Sequence, residues 1–350
     1  MSVTVDTPSP LLALQPRGPV SEALLQRLSG VGEETGASAA PEAARRAVGR
    51  SESVTYDEDI QLALFLLYAC FYGSLEGISA DAEWDTALIE TRSVLEAAFE
   101  AELRERIQVS DVPDARARDV AKALFDLTSA DSGPSLSRYF AKRATEEQAR
   151  EFLMQKSIYT LREADPHSWA IPRLRGGAKA ALVEIQADEY GGGRPDRVHA
   201  TIYAKTMRGA GLDDTYGGYL GDVPAITLAS HNMMSMFGLN RRLVGAIVGH
   251  LAAFEMTSAI PNRLYGDGFR RLGYGEDVTD YFDEHVEADA VHEQIAGRDM
   301  AGALAEDRPE LLHDIMFGAA ACLTVDGWMG QHMLESWTDG RSSLRAGAAA

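Results

Sequence analysis

Acids and histidines recur in this chain on segments whose other residues are apolar, and this narrows what it can fold into more than any other feature. Glu255 sits in HLAAFEMTSAI, with Leu251, Phe254 and Ile260 around it. Glu184 and Glu189 lie in ALVEIQADEY. His199 lies in RVHATIYA, one turn before Ile202 and Tyr203, and Glu163 follows SIYTLR. Burying an isolated carboxylate costs several kcal/mol unless it is paired or bound to a metal. Several carboxylates and imidazoles converging from different helices therefore need cations, and a pair of divalent metals supplies them.

The stretch HVEADAVH, residues 285 to 292, sharpens this reading. On a helix advancing roughly 100° per residue, His285, Asp289 and His292 fall on a stripe about 60° wide, and Glu287 points away. Helix bundles hold metals in their cores with such stripes. A mixed Glu, Asp and His set without thiolate suits iron or manganese better than structural zinc. The ferritin-like arrangement needs two Glu-x-x-His motifs, and this chain does not have two; Glu189 and His199 are separated by glycines. A different all-α scaffold is required.

The rest of the chain supplies one. Residues 1–54 are rich in Pro, Ser, Ala and Gly and read as a flexible arm, with a short helix at PVSEALLQRL capped by Ser21. From Asp57 the texture changes. IQLALFLLYACFYGSLEG is apolar on nearly all faces and reads as a buried helix. Helical periods follow from Trp84, over 113–127, over 135–163 up to Asp165-Pro166, over 176–190, and from Asp196 to the glycines near 209. Further helices are expected at 224–237, at 240–259 before Pro261, at 277–300 and at 308–337. The fold class is all-α, with seven or more helices, the helical domain spans 55–340, and 341–350 reads as a disordered tail.

Bulk properties bound the partners. The hydrophobic share of 45% supports a sizeable core. A net charge of -20 would repel nucleic acid and anionic membranes. Cys70 and Cys322 form no CxxC or zinc-ribbon spacing, so a reducing cytoplasm is the simple reading. No apolar run approaches the roughly 20 residues that span a bilayer, and no phosphate-loop or G-x-G-x-x-G dinucleotide motif is present.

Taken in order, Glu163, Glu189, His199, Glu255, His285, Asp289 and His292 resemble the ligand set of the heme-oxygenase-like diiron oxidases and oxygenases, also called iron-containing redox enzymes. The likeness rests on EADPHSWAIPRL (163–174), LVEIQADEYGGGRPDRVHA (182–200), GHLAAFEMTS (249–258) and EHVEADAVHE (284–293), and covers roughly residues 56–340. It implies a heme-oxygenase-like bundle of about seven core helices with extra N-terminal helices. Glu163 and His199 would ligate one iron, Glu189 would bridge, and Glu255, His285, Asp289 and His292 would complete the second iron and the shared face. The resemblance further implies two Fe(II) ions, O2 as co-substrate and a peroxo-diiron(III) intermediate.

The ligand spacings are similar to those of the N-oxygenating members. This implies a small amino-acid-like or amine substrate in specialised metabolism, with oxidative desaturation or decarboxylation of a fatty or amino acid as the alternative outcome. Arg173, Lys205 and Arg263 are candidate partners for a substrate carboxylate. A homodimer and an external electron donor are further expectations. A metal-independent member of the fold would need a cysteine nucleophile, and Cys70 and Cys322 lie outside the quoted segments. An iron- or partner-binding helical protein would tolerate loss of Asp289. Glu184 reads as an ordinary helix acid, His250 as a core histidine or one bonded to a ligand, His167 and His231 as capping or packing residues, His313 and His332 as peripheral. Met207, Met233, Met234 and Met236 read as core filler.

Overall fold

A computed structural model describes residues 10–30, 38–129 and 135–346, with backbone alone at 10, 12 and 287–291. Among the described residues the regular structure is helical, with no strand.

The chain opens with α1 (Pro10–Ala13), α2 (Pro19–Leu28) and α3 (Ala39–Val48). Residues 19–28 and 39–48 are not a loose arm: Val20, Leu24 and Ala44 are fully buried, and α2 packs on the next helix, α4 (Glu58–Tyr72). Asp59 explains the docking. Its carboxylate accepts the N–H groups of Val20 (2.9 Å) and Ser21 (2.7 Å), which caps α2 from 39 residues away. The far end of the chain is tied down as well. Ser343 is buried and donates its N–H and Oγ–H to Glu151, and Arg345 pairs with Glu58 at 3.0 Å. Residues 341–346 are therefore anchored, contrary to the tail expected there.

α4 is buried along nearly its whole length, as its apolar sequence requires; Asp57 caps its start and Gly73, at φ 59°, ends it. α5 (Thr86–Arg106) starts at the Asp85 cap. α6 (Ala117–Thr128) and α7 (Leu136–Arg143) follow. The helix expected over 135–163 breaks before α8 (Glu146–Thr160), because Thr145 and Gln148 form a capping box. After the short α9 (Asp165–Ser168) come α10 (Gly176–Glu189), α11 (His199–Gly209) and α12 (Ala225–Leu239). Between α10 and α11 the backbone turns through Gly191, Gly192 and Gly193, all at positive φ. A Cβ at Gly191 would sit 2.6 Å from the Val198 nitrogen, so only glycine lets the turn close.

The frame is completed by α13 (Val244–Arg271), α14 (Glu276–Gln294), α15 (Ala303–Asp307) and α16 (Leu312–Thr338). A π-helical stretch, Ile295–Gly302, follows α14 directly. α13 runs through Pro261 rather than stopping before it. Proline removes only the N–H that would reach Thr257, and α13 is packed against both α14 and α16, which holds it together. By length and composition Arg241–Arg271 could span a bilayer, but 67% of its apolar window is buried inside the fold, as in a core helix. The four methionines are core, each at 2% exposure or less.

Candidate metal centre

Six of the seven expected ligands converge. Glu163 lies just past the end of α8, Glu189 is the last residue of α10 and His199 the first of α11. Glu255 is in mid-α13, and His285 and His292 stand two turns apart on α14. All six are buried. Glu163, Glu189, His199 and His285 each offer a donor atom within 4.8 Å of the others, and so do Glu189, Glu255 and His292. Glu189 belongs to both groups. Asp289 lies on α14, outside the residues whose side chains are described.

The local chain explains the convergence. Ala164, at φ 71°, turns the backbone sharply beside Glu163, and its N–H donates to Tyr159 Oη at 3.3 Å. The Gly191–Gly193 turn folds α11 back, so that His199 Nδ1 stands 3.0 Å from Glu189 Oε2. That contact has hydrogen-bond distance without hydrogen-bond geometry, and Nδ1 is left buried with no hydrogen-bond partner. Two lone-pair donors facing one another is what a metal between them would require.

The neighbouring groups fix the donors. His285 Nδ1 lies 2.8 Å from the Tyr281 carbonyl; donation there leaves Nε2, 3.6 Å from Glu163, as a lone-pair donor. His292 Nε2 contacts Asp188 at 3.1 Å while Nδ1 faces Glu255 at 3.3 Å. Tyr281 donates its hydroxyl to Glu163, with both carboxylate oxygens at 2.9 Å. Sequence reasoning missed Tyr281 and Asp188. Tyr281 lies one turn before His285, on the same face, and that spacing was the available signal.

The charge balance is one-sided. The cavity beside the cluster is lined by Tyr159, Glu163, His167, Gln186, Glu189, Phe254, Glu255 and His285 among others, and by no lysine or arginine among the described residues. Burial opposes ionisation of Glu189, yet His199, His285 and His292 hold its carboxyl below the ordinary value. Burial likewise disfavours charge on His292, but Glu255 and Asp188 push it up to about 9. The carboxylates thus draw positive charge into the site. Burial and Glu163 together drive the Tyr281 hydroxyl well up, so it stays a donor. Carboxylates and imidazoles without thiolate fit iron, which would bind in place of the His292 proton.

Tyr281→Phe tests the outer contacts. The ring stays and only the donor to Glu163 is lost. Iron affinity is expected to fall about 10- to 100-fold with the fold intact, read by metal titration and circular dichroism. Unchanged affinity would remove Tyr281 from the site.

A second histidine pair adjoins the cluster. His167 Nε2 and His250 Nδ1 are 3.1 Å apart, both rings fully buried. Burial holds His167 down to about 4 and His250 well below its usual value, and on α12 it holds His231 down to about 3. An unfolded chain takes up these protons near pH 6.5 and the folded one does not. Stability from all three is therefore complete above that pH and is lost as pH falls toward 4. Between pH 7.5 and 6 the three together lose about 2 kcal/mol, His292, held up to about 9, offsets about 1 kcal/mol of it, and the net loss is about 1 kcal/mol, or about 1–2 °C in Tm. Equal melting temperatures at the two pH values would contradict it.

The basic residues expected near a substrate carboxylate lie elsewhere. Arg173 donates to the Gly238 and Leu239 carbonyls at the end of α12. Lys205 faces Asp280 at 3.6 Å on a half-exposed surface, and Arg263 is exposed. Closeness in sequence to a ligand segment did not carry over into space. Glu184 is exposed, as an ordinary helix acid. Both cysteines are buried and outside the cavity lining; burial pushes the Cys70 thiol up to about 12 and Cys322 well up, so neither is a ready nucleophile.

Comparison with known proteins agrees with this chemistry. A family model described as iron-containing redox enzyme matches residues 150–327. Nitrosourea synthase of Streptomyces achromogenes subsp. streptozoticus is 29% identical over 162 residues, or 46% of this chain; the match spans 34% of that relative's length. The crystal structure of a CADD-like protein of unknown function from Nostoc punctiforme PCC 73102 superposes with a TM-score of 0.50 at 18% identity, covering 63% of this chain and 97% of that one. This last likeness bears on the fold alone.

Proposed function

This chain belongs to the iron-containing redox enzyme family and is an oxidoreductase; from that premise we propose that it is a non-haem diiron oxygenase that uses O2 to oxidise a small amine or amino-acid-like substrate at nitrogen. The observation that carries the reading is the sharing of Glu189 between two buried donor groups, which suits a pair of ions and not a single one. Nitrogen as the target follows from the relative named nitrosourea synthase, whose name denotes a nitroso nitrogen in its product.

Bound irons would supply the electrons that reduce O2. The protein's part is positional. Glu163, Glu189 and Glu255 hold the negative ligand set, with Tyr281 orienting Glu163 and Asp188 orienting His292. Tyr159, Leu251 and Phe254 wall the cavity and exclude bulk water. Burial and the Glu163, Glu189 and Glu255 carboxylates drive the Tyr159 hydroxyl well up, so it keeps its proton beside the reacting groups.

The test is anaerobic loading with Fe(II), a metal count per chain, and rapid mixing with O2. Two irons are expected, with a transient visible absorbance that decays faster when an amine-bearing substrate is present. At most one iron and no transient would overturn the reading.

A further inference from the structure

Backbone strain and a candidate ligand meet at one point of the fold. Ala164, which follows Glu163 directly, is the one non-glycine residue at positive φ among the described residues. Its Cβ opposes that conformation, so the surrounding structure must hold it there. It is gripped at both ends. Its N–H reaches Tyr159 Oη at 3.3 Å, and its carbonyl accepts from Gln186 Nε2 at 2.9 Å. A carbonyl can only accept, so the Gln186 amide must turn its nitrogen this way. The same nitrogen donates to Ser168 Oγ at 2.7 Å. From there the donors run on, Ser168 to Tyr190 Oη at 2.8 Å and Tyr190 to Asp165 Oδ1 at 2.9 Å. This file of hydrogen bonds stitches the turn that carries Glu163 to the end of α10 that carries Glu189. In the sequence, Gln186 and Tyr190 stand on either side of Glu189.

Stability alone does not account for Gln186. The N–H groups of His167 and Ser168 also reach the Ala164 carbonyl, each at 3.1 Å, so that oxygen stays satisfied without it. Gln186 is buried, and its Oε1 has no hydrogen-bond partner. An unpaired buried acceptor costs free energy that a leucine in its place would not. A strained residue and a half-satisfied amide both oppose folding, and what they share is the direction of Glu163. We propose that Gln186 is a positioning residue: by holding the strained Ala164 peptide, it aims the Glu163 carboxylate into the donor group with Glu189, His199 and His285. The inference rests on the reading of those residues as a metal centre and concerns how one of its donors is set.

A double-mutant cycle on the full chain tests it, with anaerobic Fe(II) titration for affinity and Co(II) visible absorption for ligand geometry. Gln186→Leu is expected to weaken iron binding about tenfold and to change the Co(II) bands, with the helical circular dichroism of the parent. In the Ala164→Gly background the same change is expected to cost about threefold or less, because glycine holds a positive φ without strain and needs no clamp. Should Gln186→Leu not fold, Gln186→Met, of nearly equal length and without the donor, takes its place in the cycle. Equal losses in the two backgrounds, or unchanged affinity and Co(II) bands, would overturn the clamp and leave the metal centre standing. A parent chain that binds neither Fe(II) nor Co(II) would overturn both.

Discussion

Glu189→Ala is expected to leave at most one iron per chain and to lower O2-dependent turnover by about 100-fold or more. Changing a group that only touches a ligand already costs about 10- to 100-fold, and Glu189 is itself a donor in both groups. Its removal also strips His199 of the carboxylate 3.0 Å away. Glu184→Ala, five residues earlier on the same helix and exposed, is the matched control and should load and react normally. Metal analysis decides between the readings. Two irons retained in Glu189→Ala would mean that the two donor groups do not share it.

The second large effect concerns packing. α13 and α16 cross so closely that a Cβ at Gly249 would fall inside the Ile315 carbonyl, and one at Gly318 inside that of Ala246. Backbone cannot yield as a side chain can, so Gly249→Ala must push the helices apart. A cost of about 4 kcal/mol or more is expected, larger than ordinary overpacking. α13 also carries Glu255, so iron binding should weaken with it. Gly327, on α16 with open space around its Cβ position, is the contrast. Gly327→Ala should raise stability by about 0.5–1 kcal/mol, since alanine favours the helix. Chemical denaturation of the two variants gives the comparison; a Gly249→Ala midpoint like the parent's would contradict the close crossing.

The candidate centre was legible because acids and histidines stand out against apolar helical context. Glu255 in HLAAFEMTSAI and the His285/His292 stripe declare themselves by period alone. What was hidden depends on tertiary partners. Asp188 precedes a ligand by one residue, which on a helix turns it about 100° aside; its role appears only when α14 brings His292 to it. The N-terminal helices look loose because their composition is small and polar. Their cap is Asp59, and Arg17 is held by the Leu220 and Val223 carbonyls more than 200 residues away. Arg173 misled for the opposite reason: it stands in a ligand segment but serves the end of another helix. Pro261 misled because a long helix held on two sides tolerates one missing N–H.

The candidate ligands sit mostly where elements end or begin, and their contacts join distant parts of the chain: Tyr281 reaches Glu163 across 118 residues and His292 reaches Asp188 across 104. Closing such contacts costs loop entropy, which only the docked helices around them offset. No fragment holding α10 and α11 alone, or α14 alone, can assemble either donor group. Iron uptake at the proposed centre would therefore report that α8, α10, α11, α13 and α14 have docked, and a nascent or truncated chain without one of them would lack at least one complete donor group.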